Sequence, residues 1–306
     1  MRIGVMAAGG VGGYFGALLA RAGNEVAFVA RGRHLAALRE RGLTVKSAAG
    51  EIRIERPVAS DDPRTLGPCD VVLFAVKLWD TESAAEAARP LLGDDAVLIP
   101  FQNGVESIER IGAVVGARHV MGGAAYIAAQ IAEPGVVAQT GPMARLRFGA
   151  VLPGQRSAAA SFLDACKGAG INAERVDDIR RVLWEKFVFL SAMSGVTAAT
   201  RQPIGPIRSD PELRATLETA MREALAVGRA RGVDLGERFV AEQLAFADGL
   251  PAEMKSSMLN DLEAGNRLEA PWLSGAVARM AHEAGVAAPV SATLYAVVKP
   301  FCDGRR

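Results

Sequence analysis

The sequence predicts an α/β chain, a doubly wound parallel sheet in its first half followed by an all-helical second half. Three observations carry this reading. Short apolar runs alternate with helical patterns in the first half, a glycine-rich turn follows the first run directly, and beyond about residue 176 no period-2 strand pattern remains.

The apolar runs at 3–6, 26–30, 70–76 and 96–101 are rich in Val, Ile, Leu and Phe and have the length of strands buried on both faces. Residues 11–21, closed by Gly23-Asn24, and residues 81–92, rich in Ala, Glu and Leu, supply helices between them. The stretch 120–148, with Gly122-Gly123, Pro134-Gly135 and Gly141-Pro142, reads as further strands and turns closing the domain. Then the character changes. Asp177-Asp178 can cap a helix to about residue 200, and Asp210-Pro211-Glu212 opens one to 231. Further helical patterns cover 238–246, 256–263, 272–284 and 290–298, punctuated by Gly232, Gly249, Gly285, Pro251, Pro271 and Pro289. The expected domains are 1–176 and 177–306, with the ligand in the cleft between them.

Composition narrows the function. The 306 residues are 50% hydrophobic, enough for a sizeable core, and 35 Lys+Arg against 34 Asp+Glu leave a net charge of +1. Both halves are close to balanced, which argues against nucleic acid and anionic membrane as partners and leaves a small molecule. Cys69, Cys166 and Cys302 are scattered and odd in number, as are His34, His119 and His282, so neither a disulfide framework nor a metal site is expected. With no targeting segment at the start and no run of 18 apolar residues, the expected location is the cytoplasm.

The glycine-rich turn is Ala7-Ala8-Gly9-Gly10-Val11-Gly12-Gly13. Aligned with the dinucleotide fingerprint GxGxxG, Gly9 and Gly12 take the second and third glycine positions and Ala7 the first. The second glycine lets a pyrophosphate approach the backbone, the third lets helix pack on strand, and the helix N-terminus faces the phosphates. Ala7 costs little there if its φ stays negative. A strand before it and a helix after it are the context that makes the motif a Rossmann-type nucleotide site rather than an ordinary glycine turn. At the end of the second strand, where an NAD enzyme places an acid for the ribose, stand Ala30-Arg31-Gly32-Arg33. An arginine fork binds a 2′-phosphate that an acid would repel, so Arg31, with Arg33 as a second candidate, points to NADPH/NADP+. The plain alternative is a solvated surface arginine.

Read with four downstream segments, these residues resemble the ketopantoate reductase family (2-dehydropantoate 2-reductase, NADPH-dependent) over essentially the whole chain. The segments are Ala75-Val76-Lys77, Gln102-Asn103-Gly104-Val105, Trp184-Glu185-Lys186, and Ser256-Ser257-Met258 leading to Leu268-Glu269. The resemblance implies that Lys186 protonates the substrate ketone. Hydride addition builds charge on the carbonyl oxygen, and lysine, unlike arginine, can release a proton to it. It implies that Glu269 touches the cofactor ribose, that Asn103 reaches nicotinamide and substrate, and that Lys77 and the backbone of Ala128 lie on the cofactor side. Ser257 would bind the substrate carboxylate, although Ser256-Ser257 also reads as a helix cap.

The departures concern the substrate. Four and eight residues after the lysine, on the same helical face, the family carries two asparagines where this chain has Leu190 and Ser194. A third family asparagine matches Ile204, and an acid two residues after the glutamate is Pro271. The expected activity is NADPH-dependent reduction of a 2-oxo acid to a 2-hydroxy acid, with ketopantoate to pantoate in pantothenate biosynthesis as the family's assignment. The alternatives are the same chemistry on a more apolar 2-oxo acid and a non-catalytic NADP(H)-binding regulator. A dehydrogenase of a phosphorylated or secondary alcohol would need a cationic cluster that the second half does not display. Pairing of helical domains in proteins of this plan leaves a homodimer possible.

Overall fold

The structure, a computed structural model, describes residues 1–305 (for Pro142 the backbone only); Arg306, the expected end of the second domain, lies outside the described residues. The chain divides into two compact units, residues 1–102 with 106–179, and residues 103–105 with the remainder from 180.

In the first unit, β1 (Arg2–Met6), α1 (Gly10–Arg21), β2 (Glu25–Val29), α2 (Gly32–Arg41), β3 (Leu43–Ser47), β4 (Gly50–Ile54), β5 (Val58–Ser60), β6 (Cys69–Phe74), α3 (Thr81–Ala88), β7 (Leu92–Pro100) and α4 (Ser107–Val115) follow in order. They are succeeded by β8 (Gly122–Glu133), β9 (Val136–Gly149), α5 (Arg156–Gly168) and β10 (Asn172–Arg175). The main sheet has the order β5-β2-β1-β6-β7 and every pair in it is parallel. Its four longer strands are the expected apolar runs, and Ile3, Val5, Phe28, Val72, Phe74, Leu98 and Ile99 are fully buried in it. The strand order reverses at β1, which pairs with β2 on one side and β6 on the other, so the loop after β1 opens at the switch point of the sheet.

Residues 120–148 do not close this sheet. They form the long antiparallel pair β8–β9, which belongs to a second sheet of order β10-β9-β3-β4. Here β9 runs parallel to β3, with Thr44 opposite Val136, and β3–β4 is a hairpin whose Leu43, Val45 and Ile52 face the core. The expected helix 81–92 stops at Ala88, because Pro90 lacks the amide a helix would need, and a 3₁₀ turn Arg89–Leu91 leads into β7.

The second unit is helical, as expected: α6 (Ile179–Thr200), α7 (Ile204–Ser209), α8 (Pro211–Ala230), α9 (Phe239–Asp248), α10 (Ser257–Ala264), α11 (Ser274–Glu283) and α12 (Pro289–Val298). Asp210 caps α8 by accepting from the Leu213 amide at 2.9 Å, with Pro211 at the first helical position. Although no 18 apolar residues run uninterrupted, α6 is long and apolar enough by composition to cross a bilayer. Its window of that length is 72% buried within the protein, where Trp184, Phe187, Val188 and Val196 join the helical core, so it is read as a core helix.

One buried carboxylate ties two of these helices together. Glu223 of α8, 7% exposed, accepts from the amides of Val290 (2.8 Å) and Ser291 (2.7 Å) and from the Ser291 hydroxyl (2.6 Å) at the N-terminus of α12. Helix N-termini leave such amides without intrahelical partners, and here a side chain from another helix satisfies two of them. Glu223→Ala is expected to lower unfolding free energy by about 2–3 kcal/mol, since it strands buried donors of charge-assisted bonds. Urea denaturation of the variant against the parent measures this.

Candidate active site

The turn after β1 is held by close approaches that explain most of its glycines. A Cβ on Gly12 would lie 2.2 Å from the Ala7 carbonyl oxygen, so α1 can start against β1 only with glycine there. Gly10 and Gly13 meet the second sheet instead: a Cβ on Gly10 would lie 2.1 Å from the Ala129 oxygen of β8, and one on Gly13 would lie 2.8 Å from Val137 of β9. Gly9 is different. It caps α1 in extended conformation, and nothing stands within 4 Å of where its Cβ would be. No protein contact requires glycine at that position; open space beside a helix N-terminus does suit a phosphate that must approach the backbone. The residues present therefore fit a dinucleotide.

Ala7 departs from expectation. Its φ is +76°, in the left-handed region that costs a residue with a Cβ about 1–2 kcal/mol. The conformation is imposed from outside: the Ala8 amide donates to Val29 O of β2 at 2.9 Å, and Nε2 of His34 contacts the Ala8 carbonyl at 2.9 Å. His34, singled out in the sequence only as one of three scattered histidines, is the residue near this turn that motif reading missed.

Of the other residues expected on the cofactor side, Arg31 and Lys77 follow the carboxyl ends of strands β2 and β6 of the main sheet, and Ala128 lies in the second sheet. Arg31 is exposed at the N-cap of α2, just past β2, and Arg33 is exposed in the first turn of that helix. Gly32 between them has φ +55° and open space around its Cβ position. Lys77 stands three residues beyond the end of β6 rather than on it, exposed, with its ammonium 5.7 Å from the ring centre of Trp79. Gln102 pins this segment by donating to Val76 O and to Thr81 Oγ1, both at 3.0 Å. Ala128 is exposed on β8 at a bulge, one residue before the carbonyl that abuts Gly10.

Within the helical unit three polar side chains form a chain. Lys186 of α6 donates through Nζ to Asn103 Oδ1 at 3.1 Å, and Asn103 donates through Nδ2 to Glu269 Oε2 at 3.2 Å. Asn103 and Glu269, expected to meet the cofactor, are thus tied to Lys186 by side-chain bonds. Asn103 belongs with this unit although it follows β7 in sequence, and Gly104 next to it has φ +84°. Glu269 is 9% exposed. Desolvation lowers the Lys186 pKa to about 8, against the opposing pull of the Glu269 carboxylate.

Lys186, Leu190 and Ser194 share the continuous helix α6. Ser194 is fully buried and its hydroxyl has no hydrogen-bond partner, as is also true of Ser274 at the start of α11. Ile204 is fully buried within the helical core, and Leu190 is packed partly against it. Pro271 sits in a 3₁₀ turn, Ala270–Trp272. Of the two serines, the structure makes Ser256 the helix cap. Ser256 caps α10, accepting from the Leu259 amide at 3.1 Å and contacting Thr197 Oγ1 at 2.6 Å, while Ser257 is exposed at the first helical position. Among the described residues no three His, Cys, Asp or Glu side chains gather into a group that could hold a metal ion.

Family models described as ketopantoate reductase PanE/ApbA and ketopantoate reductase PanE/ApbA C terminal match residues 3–153 and 178–301. The chain is 31% identical over 303 residues to the uncharacterized oxidoreductase YkpB of Bacillus subtilis, covering 98% of this chain and 99% of that one. It is 32% identical over 302 residues to 2-dehydropantoate 2-reductase of Halobacterium salinarum, with 98% of each covered. The crystal structure of a PanE/ApbA family ketopantoate reductase from Ralstonia eutropha superposes with a TM-score of 0.90 at 32% identity, over 98% of both chains.

The positive φ of Ala7 has a direct consequence for stability. Ala7→Gly relieves the Cβ strain at the cost of a more flexible unfolded chain, and the balance is expected to raise unfolding free energy by about 0.5–1 kcal/mol. A higher midpoint in thermal or urea unfolding is the readout.

Proposed function

We propose that this chain, which belongs to the ketopantoate reductase family, is an NADPH-dependent reductase that converts a 2-oxo acid to the 2-hydroxy acid, with ketopantoate as its leading substrate. The observation that carries this reading is the Lys186–Asn103–Glu269 chain within the second unit, anchored by Lys186 on α6, in an oxidoreductase whose first unit opens on a dinucleotide turn.

When bound, the reduced nicotinamide supplies hydride to the carbonyl carbon of the substrate. The protein's part is to bind, orient and protonate. The open face at Gly9 and the α1 N-terminus take the pyrophosphate, Arg31 takes the 2′-phosphate, and Lys77 and the Ala128 backbone border the same cofactor. Lys186 gives its proton to the carbonyl oxygen as charge develops on it. An ammonium has three N–H donors; Asn103 Oδ1 engages one and thereby orients the other two. With a pKa of about 8, Lys186 is charged at neutral pH yet close enough to it to release the proton. Glu269 acts on both partners, fixing the Asn103 amide by a hydrogen bond and favouring the charged lysine through space. Ser257, exposed where α10 begins, offers its hydroxyl to the substrate carboxylate, aided by the helix dipole.

A second reading keeps the chemistry and changes the substrate. Leu190, Ser194 and Ile204 replace the three amide side chains that the family resemblance expects, and a site lacking those partners gives up its strong discrimination for a substrate hydroxyl. This favours a more apolar 2-oxo acid.

Four measurements test these statements. Lys186→Ala is expected to reduce kcat by a factor on the order of 10²–10⁴ while NADPH binding is kept; an unchanged kcat would remove Lys186 from the acid role. Because the acid must be protonated, kcat/KM for reduction should hold below pH 8 and fall about tenfold per pH unit above the Lys186 pKa of about 8, a break that Lys186→Ala abolishes. NADPH oxidation with a panel of 2-oxo acids decides the substrate: kcat/KM for ketopantoate no better than the panel average would replace it by the apolar alternative. Arg31→Ala in the same assay should erode the preference for NADPH over NADH by about tenfold or more.

A further inference from the structure

His34 lies outside the reaction just described, yet it is wired into the turn that begins it. The ring is half-buried on the first turn of α2 and has two backbone partners. Nε2 contacts the Ala8 carbonyl at 2.9 Å, and Nδ1 accepts from the Gly135 amide at 3.1 Å. Gly135 forms the turn between β8 and β9; its own carbonyl accepts from the Thr44 amide of β3 at 2.9 Å, and Arg41 of α2 donates to the neighbouring Pro134 carbonyl at 3.1 Å. The hairpin tip is therefore a fixed anchor and not a loose loop.

The two bonds permit only one form of the ring. A backbone amide can only donate, so Nδ1 must carry a lone pair, and the proton of the neutral imidazole must then sit on Nε2, where it is given to the Ala8 carbonyl. In the imidazolium, Nδ1–H would point at the Gly135 N–H, losing one bond and setting two donors face to face. What the ring holds is the peptide between Ala8 and Gly9. In a planar trans peptide the N–H points opposite to the C=O, so fixing the Ala8 carbonyl on His34 turns the Gly9 amide the other way. Gly9 is the residue with open space before it, and Ala7, one residue earlier, is at φ +76° and needs an external constraint to stay there.

We propose that His34 is a positioning residue for the cofactor: in its neutral Nε2–H form it holds the phosphate-binding turn, and its protonation releases that turn and weakens nucleotide binding. The proposal rests on the reading that the turn holds NADP(H). The charged residues on the elements around the ring are Arg31 at the N-cap of α2, Arg33, Arg39, Glu40 and Arg41 on that helix, Lys46 of β3, Glu133 at the end of β8, and Arg145 and Arg147 of β9; residues 7–13 carry no charge, and α1 has only Arg21 in its last turn. Burial lowers the His34 pKa from its ordinary value of 6.5, with the Ala8 carbonyl opposing. The sign follows: the clamp is complete above pH 6.5 and is lost as the pH falls through the lowered folded value.

The test is NADP+ binding by calorimetry between pH 5 and 8 for the parent, His34→Ala and His34→Gln, together with hydrogen exchange of residues 7–13 in the nucleotide-free protein. His34→Ala should bind about tenfold more weakly at pH 8, the worth of one to two net hydrogen bonds. Gln offers an N–H and a C=O and does not titrate, so it should restore binding to within about threefold of the parent. Below pH 6.5 the parent should lose affinity relative to His34→Gln and approach His34→Ala. Titration of the 2′-phosphate is common to all three proteins and cancels in these ratios. Exchange at residues 7–13, corrected for the intrinsic pH effect, should rise on acidification in the parent and not in His34→Gln. Equal affinities at pH 8 for parent and His34→Ala, or a parent-to-Gln ratio constant with pH, would overturn the proposal. A parent that fails to bind NADP+ at any pH while its exchange follows His34 would sink the cofactor reading and leave the clamp standing; exchange indifferent to His34 would remove the clamp.

Discussion

An ammonium taken out of water must be compensated, and the polar side chains around Lys186 in the helical unit answer that need. Desolvation works against its charge, and the compensation comes from two groups far away in sequence, the Asn103 carbonyl oxygen and, behind it, the Glu269 carboxylate. The requirement accounts for an otherwise odd feature of the chain division. Residues 103–105, only a few residues beyond the end of β7 in the parallel sheet, group with the helical unit. The balance between the two influences leaves a lysine whose pKa is lowered to about 8, so that it is charged at neutral pH.

The nucleotide-binding half depends on a second sheet that periodicity alone did not assign. Gly10 and Gly13 are glycines because β8 and β9 lie against the start of α1, whereas Gly12 answers to the Ala7 carbonyl and Gly9 to no protein atom at all. One short motif thus divides into residues demanded by the fold and one left open to a ligand. The same sheet anchors His34 through Gly135, which connects the hairpin tip to the Ala8 peptide.

The proposed substrate specificity and the proposed chemistry rest on different residues. Lys186, Asn103 and Glu269 are polar groups joined in a hydrogen-bonded chain, while α6 one and two turns further on carries Leu190 and a buried Ser194 whose hydroxyl has no partner. The proposed hydride chemistry needs only the first set. Recognition of a hydroxylated substrate needs donors and acceptors that Leu190 and Ile204 do not have.

Much of this molecule is legible from local sequence. The four longer strands of the parallel sheet, the glycine turn with a helix behind it, the helical second half and the start of α8 at Asp210-Pro211 follow from apolar periodicity, backbone restrictions and caps, all properties of neighbouring residues. Lys186, Asn103 and Glu269 are singled out by the resemblance to the ketopantoate reductase family, which does not give the bonds among them. Tertiary structure alone decided that Thr44 would lie opposite Val136, that Ala7 would be held at positive φ, that Ser256 and not Ser257 would cap α10, and that His34 would be restricted to one tautomer. The reason is common to all four. Each outcome is set by a hydrogen bond or a close approach involving a group whose position depends on the packed fold, and the local pattern does not specify where that group will stand.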